Sequence, residues 1–297
     1  MVAEIIELLE PSPGETALDL TVGTGGHSVA LARELGEDGL LIGIDADASA
    51  LAVARERLER EAPCRFELVQ GPFSLAPKVL EDLDVAGVDV VLADLGVGTH
   101  QLLSEKRGFG FESEAPLDMR YDTTTGPTAA EVVNELPEKD LADIFYHLGE
   151  ERYSRQIASR ICRERQENPI ETPAQLADLI KNVVARRSRR GQTWRIHPAT
   201  RCMMALRIYV NRELDELDAL LDDLPEMLNP GGRVGILTYH SLEARRAKLA
   251  WREQKREGRM ELIKRKPVMP SDEEVARNPS VRSVQLRTAR RPERGRR

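Results

Sequence analysis

The sequence is poor in cysteine and lacks long apolar runs, and each shortage excludes a class of protein. Its 297 residues include three cysteines that form no Cys-x-x-Cys pair, namely Cys64, Cys162 and Cys202. Neither a zinc site nor a disulfide framework is predicted from such spacing. No apolar run approaches the roughly 20 residues that span a bilayer, and the first residues lack the basic-then-apolar order of a secretion signal. We therefore expect a cytoplasmic protein without a membrane partner or a metal.

Acidic residues are missing from one stretch of an otherwise acidic chain. The net charge is −7, and residues 1–100 hold 6 Lys and Arg against 19 Asp and Glu, whereas residues 101–297 hold 37 against 31. Between Leu179 and Arg212 there are nine basic residues and no acidic one. This pattern predicts a surface that binds a polyanion such as RNA, and a solvated basic face is the alternative. The candidate RNA contacts in this stretch are Arg186, Arg187, His197 and Arg201.

A glycine-rich turn near the N-terminus has the pattern most typical of a ligand-binding site in this sequence. An apolar run at residues 17–20 predicts a buried strand, and a helical pattern covers residues 28–35. Gly23, Gly25 and Gly26 lie between them. Glycines in such a turn allow the backbone to approach a ligand closely, and the amides of the following helix face it. The turn is therefore predicted to bind a cofactor.

The residues around this turn favour one cofactor over another. A dinucleotide fingerprint that starts at Gly23 would require glycine where Ser28 stands, so NAD is the second choice. A second apolar strand ends at Asp45, where a carboxylate can accept both ribose hydroxyl protons, and another strand ends at Asp94. This arrangement resembles the class I AdoMet-dependent methyltransferases. The simplest alternative is an α/β domain whose glycine turn is only structural.

The order of apolar patterns predicts an α/β protein with a helical insert. Four strands joined by helices precede residue 100, which is typical of a parallel sheet, and a fifth strand is predicted at 230–240. The last two strands, at 260–266 and 281–288, could pair. We predict a Rossmann-like class I core with a mostly parallel seven-stranded sheet at 1–115 and 198–297. An all-helical subdomain for substrate recognition is predicted at 116–197, followed by one long helix at 198–224.

A closer resemblance rests on short motifs spread over nearly the whole chain. They include Thr24-Gly-Gly-His-Ser28, Gly71-Pro-Phe-Ser74, Asp94-Leu-Gly-Val97, Pro116-Leu-Asp-Met-Arg120, His197-Pro-Ala-Thr-Arg201, Arg207-Ile-Tyr-Val-Asn211 and Tyr239-His-Ser-Leu-Glu243. In this order they are similar to the bacterial small-subunit rRNA cytosine-N4 methyltransferases, the MraW family. The resemblance implies a cytidine in the decoding region of 16S rRNA as the substrate. It also implies that S-adenosylmethionine is bound by Gly25, Gly26, His27, Asp45, Phe73, Asp94 and Gln101.

Simple chemistry agrees with several of these roles. The lone pair of cytosine N4 is delocalised into the ring, so methylation needs acceptors that hold an N–H group. Asp94 and backbone carbonyls are the candidate acceptors, and Asp94 is the candidate catalytic residue. Phe73 is placed to stack on adenine, and an ordinary core position is the alternative. His240, after the fifth strand, could contact phosphate or base, and a hydrogen-bonded structural ring is the alternative. A different class of protein also fits the sequence, an RNA-binding module without catalysis. A homodimer is compatible with the sequence as well.

Overall fold

The computed structural model describes residues 1–102, 107–187, 194, 197–277 and 279–293. Its contacts divide the chain into two compact units. The sheet unit is formed by residues Met1–Gly96 and Leu214–Arg297, and the helical unit by Val97–Glu213.

Seven strands and thirteen α-helices lie within the described residues. The strands are β1 Thr16–Asp19, β2 Leu40–Asp45, β3 Arg65–Gln70, β4 Val88–Asp94, β5 Leu228–Thr238, β6 Glu261–Leu262 and β7 Gln285–Arg290. The helices are α1 Val2–Leu9, α2 Gly26–Leu35, α3 Ala48–Glu61, α4 Ala76–Asp82, α5 Thr99–Leu102, α6 Ala129–Glu135, α7 Glu138–His147, α8 Ser154–Glu164, α9 Pro173–Arg187, α10 Thr200–Val210, α11 Glu213–Met227, α12 Ser241–Arg256 and α13 Asp272–Arg277.

All seven strands form one sheet in the order β3-β2-β1-β4-β5-β7-β6. The first five strands in this order are parallel, and β7 pairs antiparallel with both β5 and β6. The predicted α/β class with a mostly parallel seven-stranded sheet is therefore confirmed. The strand order reverses between β1 and β4, and in open α/β sheets ligands bind outside the carboxyl ends of the strands at such a point.

The sheet is covered by apolar side chains on both faces. Successive residues of β1 lie on opposite faces of the sheet. Ala17 belongs to the apolar cluster that includes α1 and α2, whereas Leu18 belongs to the cluster that includes α4, α11 and α12. This alternation follows from the two-residue period of a strand. Among the described residues no helix is long and apolar enough to cross a membrane.

The helical unit has an apolar core of its own. Its centre is formed by residues that are almost fully buried on helices α6 to α10, with Phe145 as the largest of them. Helix α9 begins with a capping box, in which the Gln175 amide donates to Thr172 Oγ1 at 3.3 Å and the Thr172 amide donates to Gln175 Oε1 at 3.2 Å.

The boundaries of the helical unit differ from the predicted ones at both ends. Residues 97–115, assigned to the core by sequence, include Val97 and Phe109, which pack in the apolar cluster of the helical unit. At the other end, α10 contributes Cys202 and Leu206 to the same cluster. Apolar packing therefore extends the unit to 97–213 instead of 116–197.

The prediction of one long helix at 198–224 is wrong. The chain forms two helices, α10 and α11, that are separated at Asn211 and Arg212. Arg212 has a φ of 51°, in the left-handed region, and the Asn211 side chain donates to the carbonyls of Met119 and Arg207. A continuous apolar stripe does not reveal such a break, because the residues on both sides of it keep helical spacing.

Candidate functional site

Three neighbouring strands of the sheet end in a carboxylate. β2, β1 and β4 lie side by side, and their last residues are Asp45, Asp19 and Asp94. Because parallel strands share one carboxyl edge, the three acids lie along the same edge, next to the point where the strand order reverses. This edge is the candidate active site.

The glycine turn is fixed to the sheet by the buried carboxylate of Asp19. Its Oδ2 accepts a hydrogen bond from the Ser28 hydroxyl at 2.6 Å, and its Oδ1 accepts one from the Thr21 amide at 3.1 Å. Burial raises the pKa of Asp19, and the Ser28 hydrogen bond opposes this rise. Gly25 has a φ of 82°, and a Cβ there would lie 3.3 Å from Ala54. Both the backbone angle and the close approach to α3 therefore require glycine at this position.

Asp45 joins the glycine turn to the end of β2. Its two carboxylate oxygens accept hydrogen bonds from the amides of Gly23 at 2.7 Å and of Asp47 at 2.8 Å. Burial raises the pKa of Asp45, and these two amides lower it. Each oxygen of a carboxylate has two lone pairs, so both can accept a further hydrogen bond from a ligand hydroxyl.

Asp94 is held by groups from three different segments. The Tyr239 hydroxyl donates to Asp94 Oδ1 at 2.8 Å, and His27 Nδ1 lies 3.5 Å from Oδ2. The Asp94 amide donates to Thr21 Oγ1 at 2.6 Å. Burial raises the pKa of Asp94, whereas His27 and Tyr239 act to lower it. We call Asp94, His27 and Tyr239 the Asp94 cluster; the Asp94 side chain is 23% exposed and can still meet a ligand.

The turn after β5 is stabilised by a buried acid, Glu243. Its Oε2 accepts hydrogen bonds from the amides of Tyr239 at 2.8 Å and of His240 at 3.3 Å. The His240 side chain is only 9% exposed, and its Nε2 lies 3.1 Å from Glu243 Oε1. His240 is therefore mostly enclosed at the start of α12, and its predicted contact with the substrate stays a prediction.

Most of the predicted cofactor residues lie on this edge. Gly25 precedes α2, Gly26 and His27 form its first turn, and Asp45 and Asp94 end their strands. Phe73 begins a short 3₁₀ turn after β3 and is half-buried against the apolar cluster of that face.

Gln101 belongs to the helical unit. It is almost fully buried there, and its Oε1 accepts a hydrogen bond from the Gly98 amide at 3.0 Å. The cofactor role that the resemblance implies for Gln101 stays a prediction.

The predicted RNA contacts of the helical unit are only partly described. Arg186 is exposed near the end of α9, whereas the side chain of Arg187 and the residues Arg189, Arg190 and Arg195 lie outside the described part.

Two other side chains of the acid-free stretch make contacts within the helical unit. The His197 ring stacks on Phe111 with centroids 5.0 Å apart, and its Nδ1 accepts the Ala199 amide at 3.2 Å. Arg201 is exposed and donates to the Glu150 carbonyl at 3.3 Å.

Arg207 belongs to the same stretch but is engaged in an ion pair. Its guanidinium donates to both carboxylate oxygens of Glu213, at 2.7 and 2.9 Å. A paired and largely buried guanidinium of this kind stabilises the fold and is a poor phosphate ligand, so the basic surface is smaller than the sequence suggests.

The roles of Tyr239, Thr21 and Glu243 are not predicted from the sequence. Tyr239 follows β5, whose Leu237 is the register partner of Asp94 in the parallel pair. The register of that pair is the signal that would have placed Tyr239 beside Asp94, and it cannot be read from one strand alone.

A family model described as the MraW methylase family matches residues 1–292. The chain belongs to this family. A "Ribosomal RNA small subunit methyltransferase H" of Syntrophotalea carbinolica is 43% identical, over 98% of this chain and 96% of that protein. A protein of the same name from Koribacter versatilis is 44% identical, over 97% and 91% respectively. The family resemblance stated from the motifs is thus confirmed, and S-adenosylmethionine is the methyl donor.

The residues at the carboxyl edge fit this cofactor. The carboxylate of Asp45 can accept hydrogen bonds from the ribose diol, and the positive φ values of Gly23 and Gly25 expose backbone at the start of α2. An added Cβ at Gly23 would meet nothing within 4 Å, so space is open beside the turn. The carboxylate of Asp94 suits the positively charged end of the cofactor and the amino group of a substrate.

Proposed function

We propose that the protein transfers a methyl group from S-adenosylmethionine to the exocyclic N4 of a cytidine in the decoding region of 16S rRNA. The names of the relatives support methylation of small-subunit rRNA, and the motifs support the choice of N4. The observation that carries the proposal is the position of Asp94, a partly exposed carboxylate at the strand-order reversal with two polar partners. We propose that the reaction takes place in the cytoplasm, on the small ribosomal subunit or its RNA.

The chemistry of an aromatic amine explains why a carboxylate is needed. When bound, the cofactor supplies an electrophilic methyl group on its sulfonium. The N4 lone pair is conjugated with the ring, so a hydrogen bond from N4–H to Asp94 increases electron density on nitrogen and holds the amine in line. Methylation leaves N4 with one proton too many, and Asp94 is the group that can accept it.

Two neighbours contact the two carboxylate oxygens of Asp94. The Tyr239 hydroxyl occupies Oδ1, and His27 Nδ1 lies near Oδ2 at a distance longer than a normal hydrogen bond. Oδ2 therefore has the weaker partner and is the oxygen we assign to the substrate. Burial raises the pKa of Tyr239, and Asp94 adds to the rise, so the phenol stays protonated and acts as a donor.

The target base must leave its stack to reach a methyl donor at this edge. Single-stranded or extruded bases alone present N4 to an enclosed site. We propose that Arg186, Arg187, His197, Arg201 and His240 contribute contacts to the RNA. Arg186 and Arg201 are exposed, as a phosphate contact requires.

A transfer assay tests the proposal. The protein is incubated with labelled S-adenosylmethionine and small subunits from cells that lack the modification, and the rRNA is digested for nucleoside mass spectrometry. We expect N4-methylcytidine at one position, and large subunits serve as the control. Binding of subunits and cofactor without transfer would favour the RNA-binding module, and saturable nicotinamide binding without affinity for S-adenosylmethionine would favour the NAD alternative.

A further inference from the structure

Helix α12 and the segment after it carry a strong excess of positive charge. Residues 241–266 contain ten Lys and Arg against four Glu, in a chain whose net charge is −7. The excess is unlike the N-terminal part of the same unit, because residues 1–100 are strongly acidic. It lies outside the acid-free stretch at 179–212, so it is a second basic region.

The basic residues of α12 are concentrated on its outward face. Ala247, Trp251 and Gln254 are buried, which directs one face of the helix toward the sheet unit. Exposed basic residues recur at intervals of three and four, which places them on one line along a helix. They are Arg245, Lys248, Arg252 and Lys255. We call this line the α12 stripe.

Acidic neighbours do not neutralise the last three positive charges of this stripe. Glu253 pairs with Arg256, and Glu257, just beyond the helix, pairs with Arg259. Within the described ranges of the chain, no carboxylate lies at ion-pair distance from Lys248, Arg252 or Lys255. Three adjacent positive charges that face solvent without a counter-charge are a favourable surface for a polyanion.

The α12 stripe starts near the candidate active site. Helix α12 begins at Ser241, two residues beyond Tyr239, whose hydroxyl contacts Asp94. From Arg245 to Lys255 a helix rises about 15 Å at its usual 1.5 Å per residue. A strand of RNA whose base enters the carboxyl edge can therefore continue along this helix within the same unit.

We propose that the α12 stripe binds the phosphates of the rRNA strand that flanks the target nucleotide. The inference rests on the proposed function, and it assigns RNA contacts to the sheet unit in addition to those of the helical unit. A membrane surface is the other polyanion that a basic helix can meet. The apolar face of α12 is buried in the sheet unit, and Leu249 is the one large apolar side chain that this helix exposes, so the helix has little to insert into lipid.

The salt dependence of RNA binding tests the α12 stripe. In the test variant, Lys248→Gln, Arg252→Gln and Lys255→Gln remove three charges. The matched control carries Arg55→Gln, Arg60→Gln and Arg65→Gln, which remove three exposed charges from α3 and β3. The probe is a protein-free 16S rRNA transcript, titrated at several salt concentrations. We expect the slope of log K against log salt to fall in magnitude by up to about 2 in the test variant, at about 0.7 per phosphate contact.

Three further measurements make the outcome decisive. The charge-conserving variant Lys248→Arg, Lys255→Arg should keep the parental slope, and the melting temperatures should confirm that all variants fold. A test variant whose slope equals that of the matched control would overturn the proposal. Loss of binding to phosphatidylserine vesicles with an unchanged RNA slope would also overturn it and assign the stripe to lipid.

The test separates this proposal from the proposed function. If the parent protein binds the transcript and methylates small subunits while the test variant keeps its slope, only the stripe is wrong. If the parent protein shows no affinity for the transcript or for small subunits, both proposals are wrong.

Discussion

The two units of the protein differ in what they bury. In the sheet unit the buried side chains include three carboxylates, Asp19, Asp47 and Glu243, which lie at or just beyond the carboxyl ends of strands. In the helical unit the only buried carboxylate among the described residues is Glu151, and the core consists of apolar side chains. Buried carboxylates are thus concentrated in the unit that carries most of the predicted cofactor residues.

Hydrogen bonds compensate for the burial of carboxylates in the sheet unit. Burying a carboxylate costs free energy unless hydrogen bonds compensate for the lost water. Asp19 receives a hydroxyl and an amide, and Glu243 receives two amides. Asp19 and Glu243 therefore each fix a loop at the carboxyl edge, whereas the core of the helical unit is formed mainly by apolar side chains.

Replacing Asp94 should have the largest effect on function and a small one on folding. Asp94→Asn keeps the shape of the side chain but removes the base, so we expect the rate of methyl transfer to fall about 10²- to 10⁴-fold, the usual contribution of a general base. Single-turnover transfer to small subunits measures it.

Asp89 provides a control on the same strand. It lies near the amino end of β4, where its carboxylate accepts hydrogen bonds from the Thr16 amide and the Asn229 side chain. Asp89→Asn should reduce stability slightly and leave the transfer rate unchanged. If the two variants lose activity equally, Asp94 has no special role.

Replacing Phe145 should have a large effect on folding, in contrast to replacing Asp94. Its ring is fully buried in the apolar core of the helical unit, so Phe145→Ala should lower the free energy of unfolding by about 3–5 kcal/mol. Urea denaturation monitored by circular dichroism measures the change. A loss below 1 kcal/mol would mean that this core tolerates a cavity and is not what stabilises the unit. The exposed Tyr146 offers a control, because Tyr146→Ala should change stability little.

The features that the sequence predicts well are those that depend on local patterns. The sheet follows from apolar strands of period two that alternate with helices, and the glycine turn and the strand-end acids Asp45 and Asp94 follow from their positions on those strands. These are local patterns. The capping box at Thr172 and Gln175 is local in the same sense, because its two residues are three positions apart.

Features that depend on distant residues are not predictable in this way. The break between α10 and α11 involves Asn211, whose side chain bonds to Met119, 92 residues away. Tyr239 and Asp94 are 145 residues apart. Arg207 is one of the nine basic residues of the acid-free stretch, and its ion-pair partner Glu213 lies just outside that stretch. Tertiary partners decide whether a polar side chain serves the fold or the ligand.

A smaller effect is expected for the carboxylate at the end of β2. Asp45→Ala should weaken the binding of S-adenosylmethionine by about 1–3 kcal/mol, the range for hydrogen bonds to a charged group. Isothermal titration calorimetry measures the affinity. Asp47→Ala is the control, because Asp47 caps α3 and its loss should lower stability more than affinity. Unchanged affinity in Asp45→Ala would make Asp45 a purely structural residue.

The smallest effect is expected within the Asp94 cluster, where Tyr239→Phe removes one hydroxyl. The role proposed for Asp94 requires its ionised form, so the rate should fall as the pH drops through the pKa of this carboxyl. Burial raises the pKa of Asp94, and the hydrogen bond from Tyr239 opposes this rise. Loss of that hydrogen bond should therefore raise the pKa further and move the acidic limb of the pH–rate profile to higher pH. One hydrogen bond is worth about 1 kcal/mol, so the shift should be below about one pH unit.

Other charges near Asp94 remain in this variant, which makes the shift specific to the hydroxyl. His27 still lowers the pKa of Asp94, and Glu243 still raises it. Tyr209→Phe, which removes the hydroxyl of an exposed tyrosine on α10, is the matched control and should leave the profile unchanged. At a pH well above the acidic limb, Tyr239→Phe should approach the parental rate, because Asp94 is ionised there in both proteins. A rate reduced equally at every pH would contradict this account, since it would mean that Tyr239 orients Asp94 without changing its protonation.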